Sequence, residues 1–237
     1  NYVFVKGLYI KNLTYSFVLD FIDASPSCFH VIENIKRELD FCVPLNEADD
    51  WTLQPGRSYY VSRNDSSIIF FKLPDKPFKG IHIAAAHSDS PSLKIKPCPE
   101  MDCDKAYTKI NVEPYGGMIM SSWFDRPLSA AGRLIVNEFG KPVSKTVNAD
   151  RDLFIIPNVA VHMNRKINEG YSYNAQTDLL PLFGGKDAKL MPVICEYAGI
   201  DPESVLGSDL FLYPRTKGTV WGSENEFISS RALDDFQ

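Results

Sequence analysis

The sequence predicts an α/β layer interrupted by a β-rich insertion, and three observations carry that reading. Apolar residues recur at helical spacing over 15–48, then strand-like runs follow, ending in one that is apolar at nearly every position. From 97 to 220 the chain turns to short β-like runs broken by Pro and Gly. The last residues, 223–237, regain the character of the first layer. The expected organisation is therefore 1–96 as the first part of an α/β domain, 97–220 as an inserted β-rich domain, and 221–237 as the return.

In the helical stretch Leu19, Phe21 and Ile22 form one apolar cluster, and Phe29, Ile32, Ile35, Leu39 and Phe41 recur at roughly helical intervals. Ser25-Pro26-Ser27 between them is an N-cap and first-turn signal, and Pro44 with Asn46 is expected to end the second helix. Ser58–Val61, Ser67–Lys72 and Gly80–Ala86 read as strands, with turns at 63–65 and 74–77. The last of these is expected to be buried on both faces, with His82 packed inside it. In the insertion, Lys109–Val112, Gly132–Val136, Leu153–Ile156 and Val159–Val161 read as short strands, and Pro192–Tyr197 as a helical interlude. Gly184-Gly185-Lys186 reads as a loop without phosphate-binding spacing. His30, beside Phe29, is expected at a helix surface or groove, and Asp125-Arg126 as a structural ion pair.

Composition narrows the function classes. The 237 residues are 44% hydrophobic and 23% charged, as in ordinary globular proteins. The net charge of −5 comes from 25 basic and 30 acidic residues that are interspersed, so no surface for nucleic acid or an anionic membrane is expected. No apolar run reaches the roughly 18 residues of a spanning helix, and Asn1–Lys6 lacks the build of a signal peptide. Five cysteines at 28, 42, 98, 103 and 195, without a CxxC pair, read as free thiols in a reducing, cytoplasmic compartment.

Two segments carry chemistry. In Ala84-Ala85-Ala86-His87-Ser88-Asp89-Ser90-Pro91 a strand-like run ends on a His with an Asp two positions later. Ligands of open α/β sheets bind beyond the carboxyl ends of strands, and alternate residues of extended chain project to one side. His87 can thus be a metal ligand with Asp89 accepting its second ring N–H and fixing the tautomer. In Ser229-Ser230-Arg231-Ala232-Leu233-Asp234-Asp235 two adjacent carboxylates repel unless exposed or neutralised by a cation. One carboxylate can bridge two metal ions; in isolation the pair reads first as a solvated acidic turn.

Taken together these residues resemble the aspartyl aminopeptidase, or aminopeptidase I, family. His87-Ser88-Asp89-Ser90-Pro91-Ser92-Leu93-Lys94 is similar to its H-T/S-D-S-P block. Gly116-Gly117, Ser122 to Leu128 and Ala131-Gly132-Arg133 resemble its G-G…W-F/H-D-R-x-L…A-G-R block. Ile156-Pro157-Asn158-Val159-Ala160-Val161-His162, with Asn164-Arg165 and Ile167-Asn168, resembles I-P-x-x-A-x-H…N-R-x-I/V-N. Ser230 to Asp235 resembles S-x-R-L-D-N/D, and Phe21 to Ser27 fits near the start.

The resemblance implies an α/β catalytic domain, a mixed sheet with flanking helices, carrying an inserted β-rich dimerisation domain. Dimers formed through 97–220 would build a dodecamer. It implies two divalent metal ions, zinc foremost with Co²⁺ or Mn²⁺ open, and peptides as substrates. By position His87 would bind one metal, Asp89 would support it, and Asp234 would bridge both, with a cis peptide expected between 234 and 235. His162 would reach into the partner subunit's active site; on its own it reads as a core or interface histidine on a strand. The family's Glu pair, further Asp and last His lie beyond the bridging Asp, so a chain ending at Gln237 is expected to be inactive alone. The product would be an N-terminal residue, acidic or neutral. Another two-metal exopeptidase or deacylase would share the His-x-Asp logic but lack the Trp123–Arg126 and Pro157–His162 blocks, and a non-catalytic assembly module would have lost His87, Asp89 and Asp234.

Overall fold

The computed structural model describes residues 13–233. Asp234, Asp235 and the peptide between them lie outside the described residues. The chain divides into two compact units, 13–90 with 218–233 and 91–217.

The first unit opens with helices α1 (Leu13–Asp23) and α2 (Cys28–Glu38). Of the apolar residues the periodicity marks, Leu19, Ile22, Phe29 and Ile32 are buried, while Phe21, Ile35 and Leu39 are half-buried. Ser27 is the N-cap of α2 in extended backbone, and its hydroxyl lies 2.8 Å from His30 Nδ1. Helix α2 does not run on to Pro44: the Leu39 N–H closes on the Ile35 carbonyl at 3.0 Å, and Phe41 is exposed outside the helix. Because the residue before a proline is driven out of the α region, Val43 begins a strand instead. Strands β1 (Val43–Leu45), β2 (Ser58–Arg63) and β3 (Ser67–Lys72) form a mixed sheet in that order, β1 parallel and β3 antiparallel to β2.

The expected strand over Gly80–Ala86 is not formed. The segment is irregular, His82 is exposed, and Ile81 and Ile83 are 76% and 84% exposed. A buried strand needs hydrogen-bonded neighbours and cover on both faces, and among the described residues no strand pairs with this one.

The second unit is built on strands β4 (Ser92–Cys103), β5 (Tyr107–Tyr115), β6 (Leu128–Glu138), β7 (Lys141–Asn148), β8 (Leu182–Gly185) and β9 (Val205–Pro214), with helix α3 (Leu190–Ala198). The six strands make one antiparallel sheet, ordered β7-β6-β9-β4-β5-β8. Leu93, Ile110, Leu128, Leu134, Ile156, Leu190, Ile194 and Leu212 are essentially sealed from solvent at its core. Gly132 permits close approach of β6 to β9, since a Cβ there would stand 1.9 Å from the Asp209 carbonyl oxygen. Beside it Arg133 pairs with Asp209 at 2.9 Å, and Lys94 of β4 reaches the same carboxylate at 3.0 Å. The Ala-Gly-Arg triplet thus has a structural reason.

Two further expectations are corrected here. Gly184 and Gly185 are not a loop but the end of β8, paired with Thr108 and Tyr107. Val159–Val161 is not a strand: residues 156–181 hold no helix or strand, because Pro157 cannot donate to a ladder and the chain leaves the sheet there. The chain returns to the first unit through a hairpin of β10 (Thr219–Trp221) and β11 (Phe227–Ser229).

Candidate metal centre and histidine loop

His87 and Asp89 follow the irregular segment 80–86 in the first unit. The Ser88 hydroxyl donates to the Ser66 carbonyl at 2.7 Å, tying this loop to the turn between β2 and β3. His87 Nδ1 lies 3.1 Å from Asp89 Oδ1 and 2.7 Å from the Asp89 backbone carbonyl oxygen. With the proton on Nδ1, that N–H donates to these two acceptors and the lone pair sits on Nε2. Both side chains are about two-fifths exposed.

A neutral imidazole whose tautomer is set by a carboxylate suits Zn²⁺, so the pair fits one position of a metal site. Among the described residues no group of three His, Cys, Asp or Glu is arranged to hold an ion. The expected bridging residue, Asp234, lies outside the described residues.

His162 belongs to the second unit. It stands exposed in the turn Ala160–Met163, closed by the Met163 N–H donating to the Ala160 carbonyl at 2.8 Å. The residues before it are fixed at their root. Ile156 is fully buried, and its carbonyl accepts the Asp125 N–H at 2.9 Å. The Asp125 carboxylate accepts the Asn158 N–H at 2.9 Å. Asp125 therefore serves a backbone amide, not the Arg126 guanidinium as an ion pair: adjacent side chains diverge, whereas the left-handed backbone at 125 (φ 56°) accompanies its docking on the Ile156–Asn158 segment.

A residue whose part sequence reasoning did not foresee is Arg231. Its guanidinium donates to the carbonyls of Ile22 and, at 3.2 Å, Asp23, the last residues of α1. The Asp23 carboxylate in turn accepts the Gly218 N–H at 3.2 Å. A helix C-terminus presents orphan carbonyls of negative character, which a guanidinium satisfies. The Phe21–Ser27 and Ser230–Asp235 blocks are thereby joined, and the available signal was only an Arg in one block and a helix end in the other.

His30, half-buried, has its pKa lowered from 6.5 to about 4, first by loss of solvent and then by the Arg231 and Arg37 charges, with Glu33 opposing. It is thus a neutral acceptor or donor to Ser27, not a surface charge. The five cysteines are all free. Among the described residues no helix is long and apolar enough to cross a membrane.

The first unit, helices and a mixed sheet, carries the His–Asp pair, and the antiparallel unit that interrupts it carries the exposed histidine loop. The chain belongs to the M18 family: the family model described as aminopeptidase I zinc metalloprotease (M18) matches residues 21–237. It is 44% identical over 234 residues to a "probable M18 family aminopeptidase 2" of Clostridium acetobutylicum, covering 93% of this chain and 54% of that one. A counterpart of the same description from Pseudomonas fluorescens is 38% identical over 230 residues, covering 92% and 53%. The chain spans about half the length of the curated relatives it matches. Among solved structures, Chaetomium thermophilum mApe1 superposes with a TM-score of 0.85 at 31% identity, covering 94% of this chain and 55% of that one. Ape4 in its complex with Nbr1 gives 0.83 at 34%, covering 92% and 47%. The mApe1 dodecamer of S. cerevesiae gives 0.79 at 24%, covering 94% and 52%, a likeness of fold.

Proposed function

We propose that these residues act in a metal-dependent aminopeptidase that removes N-terminal residues, acidic or neutral, from peptides with the help of two divalent metal ions, zinc foremost. The observation that carries this is the His87–Asp89 pair at 3.1 Å in a chain of a zinc metalloprotease family. When bound, the ions activate water, polarise the scissile carbonyl and anchor the substrate's free α-amine, which restricts cleavage to the terminal residue.

The chain's own residues have separate tasks. Asp89 holds the Nδ1 proton and so aims the Nε2 lone pair of His87. Asp234 would supply the bridging carboxylate. His162, exposed on its loop, would enter the partner subunit's site and donate to the developing oxyanion. The β-rich unit, residues 97–220 in the sequence reading, would be the dimerisation domain, and the solved dodecamer of a relative supports assembly to that size. Free cysteines support a reducing, cytoplasmic setting.

The test uses the longest natural chain that contains this sequence, with aminoacyl reporters bearing Asp, Glu or Leu. Hydrolysis that is abolished by a chelator and restored by Zn²⁺ is the expected result; turnover indifferent to the chelator overturns the reading. In the same protein His87→Ala is expected to cut zinc retention and turnover by at least roughly a hundredfold.

A further inference from the structure

We infer that Asp125 is a positioning residue for His162, acting through the root of the loop that carries it. This rests on the role proposed above for His162. The chain leaves the core immediately after fully buried Ile156, and every residue from Pro157 to Met163 is exposed. With no helix or strand across 156–181, the direction of this loop is set where it departs from the sheet.

Asp125 sits at that point and makes a two-sided clamp. Its N–H donates to the Ile156 carbonyl and its carboxylate accepts the Asn158 N–H, both at 2.9 Å, so Pro157 is held from either side. The next amide, Val159 N–H, is taken by the Asn158 side chain at 2.9 Å, which carries the order one residue further towards the Ala160–Met163 turn. The clamp itself is anchored: Trp123 is buried in the core, and the Phe124 ring packs on Tyr173 of the same long loop, centroids 5.0 Å apart.

The backbone at 125 points the same way. A φ of 56° is a conformation for which glycine is the least strained choice and Asp or Asn the next. A glycine would satisfy the backbone and lose the carboxylate. The side chain kept there is the one that bonds the loop, and non-glycine residues held in such backbone concentrate at sites of function.

The experiment compares Asp125→Gly, Asp125→Asn and His162→Ala, and the Asp125→Gly/His162→Ala double variant, in the assembled enzyme. The glycine variant keeps the backbone and removes the acceptor. It is expected to lower kcat on the order of tenfold to a hundredfold with KM little changed and assembly intact. Asp125→Asn, which keeps an acceptor oxygen, is expected to restore kcat to within about threefold. The double variant is expected to be no slower than His162→Ala alone, because the clamp has nothing left to aim.

Losses that add in the double variant overturn the inference, as does an Asp125→Gly enzyme with unchanged kcat while His162→Ala is slow. An unchanged His162→Ala enzyme instead overturns the proposed role of His162 itself. Should the glycine variant fail to assemble, Asp125→Ser replaces it. Failure of both overturns the inference too, since Asp125 would then be needed for the fold and not for aim.

Discussion

His30 shows how a single buried imidazole imposes a pH dependence. Its folded value is lowered to about 4, whereas in the unfolded chain it titrates near 6.5. Above pH 6.5 both states are neutral and His30 contributes nothing to the slope. Between 6.5 and 4 the unfolded chain binds a proton that the folded one refuses, so stability falls as pH falls, levelling below 4. The loss is at most about 3 kcal/mol. Urea midpoints at pH 7 and pH 4.5 should therefore move less in His30→Gln than in the natural chain; equal movement would assign the acid sensitivity elsewhere. Arg231 acts at the same scale. Arg231→Ala should destabilise the first unit by about 1–3 kcal/mol by leaving the Ile22 and Asp23 carbonyls unsatisfied, read as a lower urea midpoint. Of these residue-level facts, the His87–Asp89 contact was legible in the sequence as a pair two positions apart, although the chain bends at Ser88 instead of running extended. The Asp125–Asn158 bond was not, because its partners lie 33 residues apart and one of them is a backbone amide.

Among the elements, β6 and β9 carry the largest local demands. Gly132→Ala would place a methyl 1.9 Å from the Asp209 carbonyl oxygen, and rigid backbone on both sides leaves it nowhere to go. The variant should lose about 3 kcal/mol or more of stability in the second unit, measurable by thermal melting. On Asp209 burial works to raise the pKa, but the bonds and charges of Lys94 and Arg133 more than offset it and hold the group below the usual carboxylate range. Its stabilising contribution is thus complete at neutral pH and lost as pH falls through that lowered value. Asp209→Ala would leave two cations facing each other across β4, β6 and β9, at a cost of about 1–3 kcal/mol at neutral pH and little in strong acid. Helices α1 and α3 and strands β2, β3, β5 and β6 stand where the residue pattern puts them, and α2 starts where expected but stops short of Pro44. Periodicity misleads at 80–86 and at 159–161, since apolar composition records a tendency to pair without saying what there is to pair with.

For the molecule, the register of the second unit explains how it can interrupt the first. Its first strand and its last are neighbours in the sheet, with Leu93 opposite Leu212 and Lys94 opposite Phe211. Chain enters and leaves on one side, which is the geometry that tolerates insertion. With a core of its own, residues 91–217 expressed alone should melt cooperatively, and a non-cooperative melt would show that the core needs the first unit. The sequence by itself determined the family, the alternation of helical and strand-like segments and the His87–Asp89 pair, because motif order and local period are one-dimensional properties. The tertiary structure alone decided which blocks touch: Asp125 with the root of the His162 loop, Arg231 with the end of α1, Gly132 with Asp209. Those contacts depend on backbone groups and on the close approach of strands, which no residue type announces.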